Sequence, residues 1–231
     1  MERQTSKEMR SKVTKEGYME ISIIETQIPK PKGNEVLIKI EAAPINPSDL
    51  GRLLSYAADL SDINTMEGNH PTQIKIKLKE KLMSPLKPRL DQSLSLGNEG
   101  AGVVVDAGSE AKEMIGKTVG LAGGGMYCQY RCMPANNCLL MDDQTSPEEA
   151  ASSFVNPMTA LGFIETMKLE GHEALIHTAA SSNLGQMLIK ICKTDSVPLI
   201  NIVRNSSQIE LLKNVGANFV CSTSDKSFEE D

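Results

Sequence analysis

From Tyr18 to Glu41 the chain reads YMEISIIETQIP and then EVLIKIEAAPI, with Val36, Ile38 and Ile40 at every second position. A period of two is that of a strand with one face buried. The Pro-Lys-Pro-Lys-Gly-Asn break at residues 29–34 then reads as a turn, and the segment predicts a hairpin-like pair of strands. The next loop, Asn46-Pro47-Ser48-Asp49, offers Ser48 or Asp49 as the N-cap of a short helix running through Leu53. Residues 57–95 carry Pro71, Pro85 and Pro88 among several lysines without a sustained period, so they are expected to form an irregular insertion or lid. Beyond it GNEGAGVVVDAGSEA and KTVGLAGGGMYCQYRCMPANNCLLM place short apolar runs between glycine bends, Gly123–Gly125 among them. Many short strands of this kind predict a small, partly open barrel.

The rhythm changes at residue 145. Thr145-Ser146-Pro147-Glu148-Glu149 combines a cap, a first-turn proline and carboxylates at the positive end of a helix. The helix is expected to continue through AASSFVNPMTALGFIETMKL with a break at Pro157. Then come a strand at Ala174–Thr178, a helix at Gln186–Lys193, a strand at Pro198–Val203, a helix at Gln208–Val215 closed by Gly216, and a strand at Asn218–Cys221. This β-α-β-α-β order is the first half of a doubly wound parallel sheet. Two domains follow, 1–144 and 145–231, and because only one mononucleotide-binding half is laid down the chain reads as a fragment of a longer fold.

Net charge narrows the partners. The 231 residues sum to −6, and the lysine-rich stretch Lys75–Lys81 alternates with apolar residues as a solvated face would, so no nucleic-acid partner is expected. No apolar run approaches the roughly 20 residues that span a bilayer, and the N-terminus lacks a signal core, so a cytoplasmic protein without a membrane partner is expected. Five cysteines, an odd number, predict free thiols in a reducing compartment. Cys128, Cys132 and Cys138 lack the paired spacing of a metal cluster, and His70, His172 and His177 have no visible nucleophile or carboxylate partner.

The turn Thr178-Ala179-Ala180-Ser181-Ser182-Asn183-Leu184-Gly185 has side chains small enough for backbone amides to approach a pyrophosphate at the next helix's N-terminus. Small residues also suit any tight strand-to-helix connection. Arg204, followed by Asn205, ends the second strand where an acidic residue would hold the ribose hydroxyls of NAD, and a guanidinium there suits the 2′-phosphate of NADP.

With IHTAASSNLGQMLIKIC and NIVRN, the segments INPSD and NPMTALG resemble the quinone oxidoreductases and mitochondrial-type enoyl reductases of the medium-chain dehydrogenase/reductase superfamily. The resemblance covers about residues 20–56 and from 96 onward. It implies a GroES-like, partly open β-barrel followed by a Rossmann domain, here incomplete. It further implies that Asn46 borders the nicotinamide, Thr159 contacts the cofactor, Ser181, Ser182, Asn183, Leu184 and Gly185 hold the pyrophosphate, and Arg204 with Asn205 takes the 2′-phosphate of NADPH. Zinc-dependent relatives place a Cys and a His where this chain has Ser48 or Asp49 and the Gly97-Asn98-Glu99 segment, so no tetrahedral N/S zinc site is expected. Tyr56 stands near the position of the family's proton-donating Tyr, one residue short of the usual spacing. Asn183 falls where the family more often has Gly, and is expected to take the left-handed turn conformation.

The function so implied is zinc-independent, NADPH-dependent hydride transfer to a quinone, with a trans-2-enoyl thioester or other activated double bond as the close alternative. A noncatalytic nucleotide-binding or scaffold protein, or an inactive fragment, is the reading from another class. The oligomeric state is not legible, a homodimer being one option.

Overall fold

The computed structural model describes residues 5–65, 72–225 and 228. His70 and Pro71 lie outside the described residues. The chain divides into two compact units, Met1–Ser153 and Phe154–Asp231.

The first unit contains β1 (Thr5–Val13), β2 (Tyr18–Gln27), β3 (Glu35–Ala42), α1 (Pro47–Leu53), β4 (Ala58–Thr65), β5 (Gln73–Leu78), β6 (Leu94–Ser95), β7 (Glu99–Ala107), β8 (Thr118–Ala122), β9 (Tyr130–Pro134), β10 (Cys138–Leu140) and the single-turn α2 (Pro147–Ala150). They form two five-stranded antiparallel sheets, ordered β4-β5-β2-β1-β6 and β10-β8-β7-β3-β9. The sheets are stitched where β1 meets the chain ahead of β9: the Met9 amide donates to the Tyr127 carbonyl at 2.8 Å and the Gln129 amide to the Lys7 carbonyl at 3.0 Å. The core of one sheet is Val36, Ile38, Val104, Val119, Leu121 and Met126, all buried. β7 lies so close to β3 that a Cβ at Gly102 would collide with the Lys39 carbonyl, which accounts for the glycine in mid-strand.

Two expectations fail here for one reason, the partnering of strands. β2 and β3 are not a hairpin. β2 pairs with β1 and β5, whereas β3 pairs with β7 and β9, and the proline-rich connection carries the chain from one sheet to the other. Nor are the described residues of the 57–95 segment an irregular insertion. β4 and β5 extend the sheet of β1 and β2, with Ile76 and Leu78 buried beside Val13, Met19 and Ile21. The alternating lysines obscured this: Lys75 sits opposite Glu20 and reaches its carboxylate at 3.1 Å, leaving the even-numbered positions to face inward. Short 3₁₀ turns at Glu80–Leu82 and Ser84–Arg89 complete the segment, placing partly buried Leu86 against the same core.

The second unit contains α3 (Val155–Leu169), β11 (Leu175–His177), α4 (Asn183–Thr194), β12 (Leu199–Val203), α5 (Ser207–Val215) and β13 (Phe219–Ser222). The strands form a parallel sheet in the order β11-β12-β13. Leu188, Ile189, Cys192, Leu199, Val203 and Leu212 join Ala160, Ile164 and Ala180 in its core. Gly216 ends α5 at φ 107°, a left-handed cap natural to glycine. The helical break lies at residues 151–154 rather than at Pro157, which sits in the first turn of α3 where its missing N–H removes no intrahelical bond. Among the described residues no helix is long and apolar enough to cross a membrane.

If β5 is core, Ile76→Ala should destabilise the protein by about 2–5 kcal/mol, while Lys77→Ala on the exposed face changes stability by less than about 0.5 kcal/mol. Urea denaturation followed by circular dichroism compares the two, and equal small effects would return residues 57–95 to the status of a lid.

Candidate functional site

Each unit holds its own cluster of residues singled out from the sequence. In the first, the loop entering α1 is organised by two buried carboxylates. Asn46 is the N-cap, correcting the expectation of Ser48 or Asp49; Pro47 occupies the first helical position, where its ring is already set for helix. Asp49, buried, accepts from the Asn46 amide at 2.9 Å and, through its other oxygen, from the Asn98 amide at 2.9 Å. The Asn46 side chain donates from Nδ2 to Glu99 Oε1 at 2.8 Å. Glu99 has no exposed surface, so this hydrogen bond offsets part of the cost of burying a carboxyl group.

Ser48 and Asn98, at the positions the resemblance sets against zinc ligands, bond to each other, Asn98 Nδ2 donating to Ser48 Oγ at 3.0 Å. Among the described residues no group of three His, Cys, Asp or Glu is placed to hold a metal ion. All five cysteines are free, and burial pushes the thiols of Cys128, Cys138 and Cys192 up to about 11.

Two residues of this cluster were not expected from the sequence. Glu99 was read only as part of a segment lacking a zinc ligand, and Tyr127 not at all. The Tyr127 hydroxyl donates to the Pro44 carbonyl at 3.0 Å, and burial, with the Asp49 carboxylate nearby, pushes its pKa up to about 12. Gly97, in the left-handed region at φ 90°, lets that ring through: a Cβ there would meet the Tyr127 backbone nitrogen and ring at 2.7 Å. Tyr56 stands apart from these contacts. It is 87% exposed, and a Cβ on Gly51 would lie 3.7 Å from its ring.

In the second unit the chain leaves β11, turns, and enters α4. Ser182 caps the helix, its Oγ accepting from the Gly185 amide at 3.1 Å. Gly185 lies buried against Ala180, whose carbonyl a Cβ would strike, so this position admits only glycine. Asn183 is the first helical residue and not left-handed; Ala179 takes that conformation instead, at φ 52°. The left-handed residue therefore lies four positions earlier in the turn, at a cost of roughly 1–2 kcal/mol for a non-glycine residue. Ser181 is held twice. Its carbonyl accepts from Gln186 Nε2 at 3.1 Å and its hydroxyl from Gln208 Nε2 at 2.7 Å. Arg204 and Asn205 are exposed just after β12, their amides both donating to Gln208 Oε1 at 3.2 Å. Thr159, on α3, donates its hydroxyl to the Val155 carbonyl at 2.6 Å, a bond made within its own helix. Thus the structure joins Ser181, Arg204 and Asn205 through Gln208, a residue the sequence reading had used only to mark a helix.

Removing the Asn46 carboxamide should expose how much the first cluster depends on it. Asn46→Ala leaves Glu99 short of a buried partner and is expected to cost about 1–3 kcal/mol, read from the urea midpoint. Burial pushes the pKa of the Tyr127 phenol up from its ordinary value near 10 to about 12, so the folded form binds its proton more tightly and stability falls as pH rises from about 10 to about 12. In absorbance titration at 295 nm, Tyr127→Phe should remove a step near 12 that wild type shows; a removed step near 10 would contradict the burial.

Residues 32–143 match the alcohol dehydrogenase GroES-like domain. A mitochondrial enoyl-[acyl-carrier-protein] reductase of Xenopus tropicalis is 30% identical over 201 residues, 84% of this chain and 49% of that protein. A chloroplastic quinone-oxidoreductase homolog of Spinacia oleracea is 25% identical, over 85% of this chain and 55% of its own. A crystal structure of a putative NADPH:quinone reductase from Mesorhizobium loti superposes with a TM-score of 0.67 at 28% identity, over 98% of this chain and 62% of that one. The chain spans about half the length of the curated relatives it matches. Shared domain, sequence likeness and fold agree: residues 32–143 carry the alcohol dehydrogenase GroES-like domain, and the chain is similar over most of its length to enoyl and quinone reductases.

Proposed function

We propose that the chain is part of a zinc-independent, NADPH-dependent oxidoreductase that delivers hydride to a quinone, or alternatively to the activated double bond of a trans-2-enoyl thioester. The observation that carries this reading is the β11-to-α4 turn, with the Arg204 turn tied beside it. The first amides of the 12-residue α4 have no intrahelical partner, and with the helix dipole they favour an anion. Gly185, packed on the Ala180 carbonyl, and the small side chains of Ser181 and Ser182 leave the backbone approachable. These residues, with Asn183 and Leu184, would hold the pyrophosphate, and the exposed Arg204 with Asn205 would take the 2′-phosphate.

The reduced nicotinamide, when bound, supplies the hydride, and the charge left on the substrate needs a hydrogen-bond donor. Tyr56, with its exposed phenol, is the proposed donor. Tyr127 is not, because its hydroxyl already donates to the Pro44 carbonyl. Asn46 is assigned by resemblance to the nicotinamide and Thr159 to the cofactor; the Nδ2 donor of Asn46 is already engaged by Glu99. Zinc independence is supported by the Asn98–Ser48 hydrogen bond.

The relatives' names support both substrates: enoyl-[acyl-carrier-protein] reductase for one protein, NADPH:quinone reductase for another. Fluorescence titration should show NADPH binding more tightly than NADH, and Arg204→Ala should weaken NADPH by about 10- to 100-fold, the worth of hydrogen bonds to a charged group, with little change for NADH. Binding of neither dinucleotide would overturn the proposal. Loss of NADPH absorbance at 340 nm with a benzoquinone but not with a crotonyl thioester would select the quinone, and the reverse the enoyl substrate.

A further inference from the structure

Gln208 makes three hydrogen bonds, and their pattern fixes which way its carboxamide faces. The amides of Arg204 and Asn205 are donors and require an acceptor, so both of their 3.2 Å bonds end on Oε1. Nε2, which can only donate, is thereby turned to Ser181 Oγ at 2.7 Å. The consequence falls on Ser181. A hydroxyl has one proton and two lone pairs, and with a lone pair committed to Gln208 its proton cannot point back at that nitrogen. Ser181 is left facing the loop as a hydrogen-bond donor, which is what a phosphate oxygen requires. The Ser181 carbonyl is held separately by Gln186, so the hydroxyl alone reports on Gln208.

We propose that Gln208 is the positioning residue that sets cofactor choice: it orients the Ser181 hydroxyl as a donor to phosphate and holds the Arg204–Asn205 turn at a fixed spacing from the β11-to-α4 turn. This rests on the nucleotide-binding reading above. Gln208 itself touches neither phosphate; it acts through the two turns it links. A dinucleotide carrying a 2′-phosphate needs both turns in register, whereas one lacking it uses only the first. Loss of Gln208 therefore weakens NADPH more than NADH. A residue that merely capped α5 would affect the two alike.

The test uses the 231-residue chain with NADPH and NADH as probes. Gln208→Ala should raise the Kd for NADPH about tenfold and that for NADH about threefold, in keeping with one or two hydrogen bonds lost. Ser181→Ala should weaken both dinucleotides, and adding Gln208→Ala to it should cost NADPH less than Gln208→Ala costs alone, because the hydroxyl to be oriented is gone. Gln208→Glu keeps the acceptor for the Arg204 and Asn205 amides but takes the Ser181 proton for itself; it should fold with an unchanged Tm and still bind both dinucleotides more weakly. Equal losses for NADPH and NADH in Gln208→Ala, or strict additivity of Gln208→Ala with Ser181→Ala, would overturn the proposal while leaving the nucleotide-binding reading intact. Wild type that binds neither dinucleotide would overturn both.

Discussion

Burying a carboxyl group without partners costs several kcal/mol, and the first unit buries two at one point. Asp49 and Glu99 come from a helix and a strand 50 residues apart, and Asn46 touches both, one through its backbone amide and the other through its side chain. Asn98, the neighbour of Glu99, supplies its amide to Asp49 and its carboxamide to Ser48. The entry to α1 is therefore pinned to the start of β7 by hydrogen bonds whose loss would take a partner from a buried acid. This is a stiffer joint than apolar contact alone provides, because such bonds have one workable geometry and unpaired charge has none.

The second unit meets a similar requirement with backbone. A parallel strand must hand over to its helix in a few residues, and here Ala179 bears the left-handed turn, Ser182 caps, and Gly185 lets the helix settle on the Ala180 carbonyl. The helix end that results is electropositive, exposed and free of bulky side chains. Across from it, Gln208 gathers the amides that open the next turn. Small residues make the cradle, and one long polar side chain sets its distance to Arg204.

Much of this organisation was legible along the chain. The β-rich then β/α order, the elements of the second unit and the Ser181–Gly185 turn follow from periodicity and local residue chemistry, since each depends on neighbours only a few positions away. Ile74, Ile76 and Leu78 also carry a period of two, but three prolines and the lysines around them outweighed that short signal until β2 was seen to lie alongside. The supposed hairpin at residues 18–41 failed for a related reason: alternation shows that a segment is a strand and says nothing of its partner.

What the sequence determined by itself is therefore local: which segments are strands, which are helices, where a backbone can approach an anion, and that a guanidinium follows the second parallel strand. What tertiary structure alone decided is pairing at long range. That β1 joins the two sheets, that Glu99 is fully buried and reached by Asn46, that Tyr127 closes over Gly97, and that Gln208 reaches across to Ser181 all depend on residues brought together from distant parts of the chain. A hydrogen bond has a short reach and a strict direction, and no pattern of residue types can specify either until the fold has placed both ends.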